Sequence, residues 1–237
     1  MSHIRIERGD VSIELRKTPL GWILPGTPDL PADRLQVGAL LGLLSERPRR
    51  SYPAGELDLA QAGLRPPLAR IGFDGLTLTI GGTAPLEGLR YLQMDDRVYL
   101  IEDRYGPLVQ GNRLQFVSRR LLPQGAKITA LRLPGLGIAP SGTGGWQTEP
   151  ARALSGEEAE ALIEAWQTAS ALWVKVVDPL PETGPKVEVE LENAEPLRFL
   201  LAGRDGEKAL IRPELGLEYH LEPRQLEALL GNASKKD

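Results

Sequence analysis

Cysteine is absent from the 237 residues, which excludes a disulfide framework, a thiolate metal site and a cysteine nucleophile. Histidine is nearly absent: His3 and His220 stand far apart and leave little basis for a His-based metal site or general base. Neither sign of charge dominates, since 28 Lys and Arg face 32 Asp and Glu for a net charge of -4. That balance argues against a nucleic-acid coat or a polybasic membrane binder. Long apolar runs are missing too. The longest, Val37 to Leu44, covers less than half of the roughly 20 residues that span a bilayer. No signal peptide precedes the strand-like Ile4-Arg5-Ile6-Glu7-Arg8, so the chain as written is expected to be soluble.

Catalytic motifs are equally scarce. There is no Gly-x-Ser-x-Gly, and the Gly-rich stretches Gly81-Gly82-Thr83 and Ser141 to Gly145 lack the Lys-Ser/Thr that a phosphate-cradling loop needs. They predict a hairpin turn and a flexible loop. The paired acids have local explanations: Asp95-Asp96 in a turn, Glu157-Glu158 in a helix first turn. Glu102-Asp103 reads as an ordinary solvated pair at a strand end. No catalytic set, metal site or cofactor is expected.

What is present is a globular composition, 41% hydrophobic, with Gly and Pro at about 19%, below the level that marks disorder. Arg outnumbers Lys 21 to 7, which fits the codon usage of a high-GC genome.

The chain is written twice. Ile4 to Arg8, Val11 to Leu15 and Gly21-Trp22 run parallel to Ile128 to Leu133, Leu136 to Ile138 and Gly145-Trp146, at a spacing of 124 residues. A helix follows each Gly-Trp. The first opens after Pro31, with Asp33 in its first turn and Val37, Leu40, Leu41 and Leu44 on one face. The second opens on the capping-box pair Ser155 and Glu158, and Ala159, Leu162, Ile163, Trp166 and Trp173 carry its apolar stripe.

Alternating strands come next: Leu68 to Phe73, Leu76 to Ile80, Arg90 to Met94 and Arg97 to Glu102, then Val187 to Leu191, Leu197 to Leu201, Lys208 to Arg212 and Leu217 to Leu221. Turns are expected at Asp74-Gly75, Gly81-Gly82, Asp95-Asp96 and Asp205-Gly206. Tyr99 and Tyr219 then match at a spacing of 120, as do Gly111 and Gly231. The pattern predicts an α+β fold made by internal duplication, residues 1–122 and 123–237, each repeat a β-hairpin, one main helix and an antiparallel sheet.

Trp22 and Trp146 recur in both repeats, which assigns them a structural role: each indole is expected to close a hairpin over the core. Arg47, Arg49 and Arg50, with Arg119 and Arg120, are local basic clusters that could hold phosphate or a partner's acidic face. Arg90, Tyr91, Arg119 and Arg120 are the candidate binding residues. The sequon at Asn232 lies in a Lys-rich tail and carries no weight.

The run from Leu78 to Leu122, with its Gly-Gly, Leu89-Arg90-Tyr91, Val98-Tyr99-Leu100-Ile101, Phe116-Val117 and Leu121-Leu122-Pro123, resembles the bacterial family called domain of unknown function 4340. Ile4 to Arg8, Gly21-Trp22 and the helix after Pro31-Ala32-Asp33 are similar to it as well. Members carry an N-terminal membrane anchor and an extracytoplasmic part, and are often encoded beside ABC-transporter components of the gliding-motility type. The resemblance implies a non-enzymatic envelope accessory protein with a protein partner. It also implies a place on the periplasmic face of the inner membrane if an anchor precedes Met1. Two other readings compete: a glycan- or lipid-binding module using the groove between the repeats, and an enzyme working with carboxylates alone.

Overall fold

Strand alternation and one capped helix build the first unit, Met1–Ser118. The computed structural model describes residues 1–85, 88–142, 144–151, 153–181, 183–204 and 207–231, with backbone alone at 204 and 207. Strands β1 (His3–Arg8) and β2 (Val11–Thr18) form an antiparallel hairpin in which Ile4 faces Leu15 and Ile6 faces Ile13. All four side chains are buried while their neighbours face out, as the period of two requires. Strands β3 (Gly21–Leu24) and β4 (Leu30–Pro31) extend the sheet outward.

Helix α1 (Arg34–Gly42) follows, its first amides at Leu35 and Gln36 donating to the Asp33 carboxylate at 2.9 and 3.1 Å. Asp33 is thus the N-cap, one position before the first turn. Then come β5 (Arg50–Pro53), β6 (Ala69–Phe73), β7 (Leu76–Thr83), β8 (Leu89–Met94), β9 (Arg97–Glu102) and α2 (Gly106–Gln110). The strand order is β4-β3-β2-β1-β6-β7-β8-β9-β5.

The second unit, Arg119–Asp237, has β10 (Ile128–Leu133), β11 (Leu136–Pro140), β12 (Trp146–Glu149), α3 (Gly156–Thr168) and β13 (Trp173–Val176). It continues with β14 (Lys186–Leu191), β15 (Ala194–Arg204), β16 (Glu207–Arg212), β17 (Leu217–His220) and α4 (Pro223–Leu229). Its order is β12-β11-β10-β14-β15-β16-β17-β13. With β4 set aside, the two orders coincide: three strands run to one edge, a helix crosses, one strand takes the far edge and a four-stranded meander fills the middle. The α+β class therefore rests on two antiparallel sheets with few helices.

The division falls at Ser118/Arg119, four residues ahead of the expected 122/123 boundary. Backbone bonds explain it: Leu121 N–H donates to Ala169 O, Ala171 N–H donates to Arg119 O, and Arg120 bridges Ser170. Gly81-Gly82 is not a turn but part of β7. A Cβ on Gly81 would stand 2.6 Å from Ala62 O, so this glycine admits a crossing segment against the strand. Trp173 is not on the helix stripe. Helix α3 ends at Thr168, and Trp173 begins the edge strand β13 with 45% of its surface exposed. Strands β5 and β13, at four residues each, carry too little alternation to be read beforehand. The expected turn at Asp205-Gly206 lies outside the described residues.

The second helix keeps its predicted cap and its predicted stripe as far as Trp166. Ser155 Oγ accepts from Glu158 N–H at 3.2 Å and Glu158 Oε2 accepts from Ser155 N–H at 2.8 Å, a complete capping box. Ala159, Leu162, Ile163 and Trp166 are buried, and the Trp166 indole donates to Leu229 O at 2.8 Å. Phe199 of β15 packs against it at a ring-centroid distance of 5.7 Å. Trp166→Ala is expected to destabilise the second unit by about 3–5 kcal/mol through cavity and lost packing. Ser155→Ala should cost only about 1 kcal/mol. Urea unfolding of both variants reads the difference.

Candidate functional site

The candidate binding residues Arg90 and Tyr91 lie in the first unit, Arg119 and Arg120 in the second. Arg90 on β8 is buried, and its guanidinium forks onto Asp103, with Nε to Oδ1 at 2.5 Å and Nη2 to Oδ2 at 2.7 Å. Nη1 donates to Gly81 O at 2.6 Å and Nη2 to Thr83 Oγ1 at 3.2 Å, so the fork is spent inside the fold. The pair ties β7, β8 and the segment after β9 together. Gly106 fits against it, because a Cβ there would meet Arg90 Nη2 at 2.8 Å. Asp103, expected as a solvated end-of-strand acid, is held below the usual aspartate range. The Arg90 hydrogen bond is the largest cause, ahead of the opposing effect of burial.

Tyr91 points to the opposite face of β8, half-buried against the clusters around Ala62, Leu64 and Val98 and around Ala84, Leu89 and Leu100. Arg119 and Arg120 belong to the second unit and bond to backbone: Arg119 Nη1 donates to Leu172 O at 3.0 Å, Arg120 Nη2 to Gln167 O at 2.7 Å. The latter places a cation on the last turn of α3, where it complements the helix dipole. Trp22 and Trp146 take matching places on β3 and β12, opposite Lys17 and Pro140. Both are half-buried. The fully buried indole is that of Trp166.

The feature that sequence reasoning missed is a cleft in the first unit. Counting from the N-caps, Val37, Leu40, Leu41 and Leu44 match Ala159, Leu162, Ile163 and Trp166 position by position. In the second unit the helix runs on through Trp166 and seals the sheet. In the first, α1 stops at Gly42 and a 3-10 turn over Leu43–Ser45 changes the register. Leu43 turns in at 4% exposure and Leu44 turns out at 39%. Beyond the helix end the sheet side chains Leu78, Leu92 and Ile101 stay buried. There a cleft of about 190 Å³ lies between Leu43, Leu44 and Pro48 on one side and Leu76, Leu78, Leu92, Met94, Tyr99 and Ile101 of β7, β8 and β9 on the other. Tyr99, the counterpart of the fully buried Tyr219, is only half-buried here.

One carboxylate lines the cleft. Glu46 is 8% exposed at its side chain, and its Oε2 accepts from Tyr105 Oη at 2.6 Å and from Arg104 Nη2 at 2.7 Å. Burial first, then the bond to Glu46, pushes the Tyr105 phenol up to about 12. It stays a donor throughout the physiological range. Arg49 Nη2 meets Glu102 at 2.6 Å beside the same segment, and Arg47 and Arg50 are exposed on it.

A second cluster sits where β13 pairs with β17. Trp173 stacks on His220 with centroids 3.5 Å apart, and Glu218 Oε1 lies 2.8 Å from His220 Nε2 and 3.1 Å from Lys175 Nζ. Among the described residues no three His, Cys, Asp or Glu side chains gather in a way that would hold a metal. No described helix is long and apolar enough to cross a membrane.

One family model, described as Domain of unknown function (DUF4340), matches residues 22–201 of the chain. No curated protein and no solved structure matches it.

Asp103→Asn is expected to lower the unfolding free energy at neutral pH by about 3 kcal/mol, because it leaves the Arg90 charge buried without its counter-ion. A carboxyl whose folded pKa is depressed contributes stability above its unfolded value, ~3.9, and loses it as pH falls through the folded value. Denaturant titrations should therefore show the native chain weakening below about pH 4, and Asp103→Asn losing less over the same window.

Proposed function

Because the chain belongs to the domain of unknown function 4340 family, we propose that it is a non-enzymatic interaction module built by internal duplication of one α+β unit. It serves as an accessory to a transporter-like complex of a bacterial envelope. The observation that carries this reading is the pairing of one strand order, used twice, with a difference in closure: the second unit seals its helix against the sheet with Trp166, and the first leaves the matching position open. The repeat spacing of 124, drifting to 120, supports duplication, since a four-residue loop difference accounts for it. The envelope location rests on the family resemblance and on the condition that an anchor precedes Met1.

A cleft of about 190 Å³ is smaller than the roughly 300–1,000 Å³ of small-molecule sites. Its size suits an anchoring group from a protein partner, of the kind that dominates interface energetics. The second reading, a lipid-binding module, draws support from the almost wholly apolar lining. That lining disfavours a glycan, which would need several convergent polar groups.

Chemical crosslinking in membranes of the native organism, followed by pull-down of the chromosomally tagged chain, is expected to recover transporter subunits in stoichiometric amounts. Leu44→Glu, which sets a charge at the cleft mouth, should reduce that recovery about tenfold without lowering the Tm. A chain that recovers no protein, or a purified chain whose hydrolytic turnover one substitution abolishes, would sink the accessory reading.

A further inference from the structure

We propose that Lys175 and His220 exchange places as the partner of the buried Glu218 carboxylate: Lys175 holds it while the imidazole is neutral, and protonated His220 takes it over and releases Lys175 to solvent. The edge of the second unit's sheet thereby carries a proton-driven switch.

Strand register assembles the group. In the β13–β17 pair Trp173 stands opposite His220 and Lys175 opposite Glu218, so the four side chains share one face. Leu217 and Tyr219 point to the other face, where Tyr219 packs on Phe199. Glu218 and His220 are nevertheless buried. The Trp173 indole lies flat on the imidazole, with the centroids 3.5 Å apart and the planes within 10°. A carboxylate closed off in this way needs a counter-charge. Two groups reach the same atom: Oε1 of Glu218 is 3.1 Å from Lys175 Nζ and 2.8 Å from His220 Nε2.

Counting charge decides which of them stays. With a neutral imidazole, Glu218 and Lys175 cancel. A proton on His220 leaves one positive charge in excess beside a carboxylate that is 8% exposed, and desolvation makes that excess costly. Only one cation has a way out. The Lys175 side chain is 41% exposed on a flexible stem, whereas His220 is 10% exposed and held beneath Trp173. The indole face also favours a cation, and the stacked imidazolium is nearer to it than Lys175 Nζ, which stands 5.8 Å from the centroid.

On the same face β16 presents Ile211 opposite Glu218 and then Ala209, neither of them charged. The charged groups of the adjoining described segments are Arg119 and Arg120 before β13, Asp178 after it, Arg212 with Glu214 before β17, and Glu222 after it. Among all these side-chain types, histidine alone ordinarily changes charge between about pH 5 and 8. Acidification in that window therefore sets a free ammonium beside an exposed indole.

The test is an NMR titration of the purified full chain from about pH 8 to 5, following the His220 ring proton and carbon-13 relaxation at Lys175 Cε. The order parameter at Lys175 is expected to fall to that of the exposed Lys186, with the midpoint at which His220 titrates. In Lys175→Met, which removes the competitor and keeps the stem, the His220 midpoint is expected to rise by about one pH unit, roughly a tenfold gain in proton affinity. In His220→Gln, Lys175 should stay held across the whole range. A Lys175 side chain that stays held while His220 titrates would overturn the exchange. So would an unchanged midpoint in Lys175→Met, or a Lys175 that loosens equally in His220→Gln. A His220 that takes no proton in this range before the chain unfolds would overturn it too.

Discussion

Each sheet in this chain has an apolar face that one helix must cover, and the length of that helix after its N-cap decides how much is covered. Helix α3 runs 13 residues and α1 runs 9. At 1.5 Å of rise per residue the difference is about 6 Å, one turn and the width of one large side chain. That turn carries Trp166 in the second unit, and in the first it is replaced by the 3-10 segment that exposes Leu44. The core of the second unit, its Phe199 and Tyr219 contacts and the docking of α4 all follow from the longer helix. The cleft of the first follows from the shorter one.

The first sheet has a polar fastening as well, the pair of Arg90 with Asp103. By strand alternation Arg90 shares a face with Leu92 and Met94, the side chains that line the cleft. The bidentate pair, closed by Gly81 O and Thr83, ties together strand segments that no helix clamps there. A buried ion pair of this kind adds little net stability over an apolar isostere, and its value lies in fixing geometry. Strand register around the cleft is thereby held by polar contacts set among buried apolar side chains.

Much of this was legible in the residues. The capping box at Ser155 and Glu158, the alternation of Ile4, Ile6, Ile13 and Leu15, and the bounds Arg97–Glu102 of β9 follow from local chemistry and appear as read. What escaped was non-local. Arg90 looks like a ligand-binding cation until Asp103, thirteen residues on, is brought within 2.5 Å. Gly81-Gly82 looks like a turn until Ala62 is found pressed against it. The edge strands β5 and β13 have too few residues for a period to declare itself. The cleft had a signal, though: the two helix stripes align from their caps, and only one of them ends in a tryptophan.

On the proposed duplication, that single difference divides the work between the copies. A unit sealed by Trp166 gains stability from about 3–5 kcal/mol of aromatic burial, and its sheet face has no room for a guest. A unit that ends its helix early gives up that burial and leaves Leu44 exposed, a cost a lone small domain near its stability threshold would carry badly. Where two copies are joined in one chain, one can remain closed while the other stays open. The exposed Leu44 and the half-buried Tyr99 then mark where the first copy departs from the second, whose Trp166 and Tyr219 are fully buried.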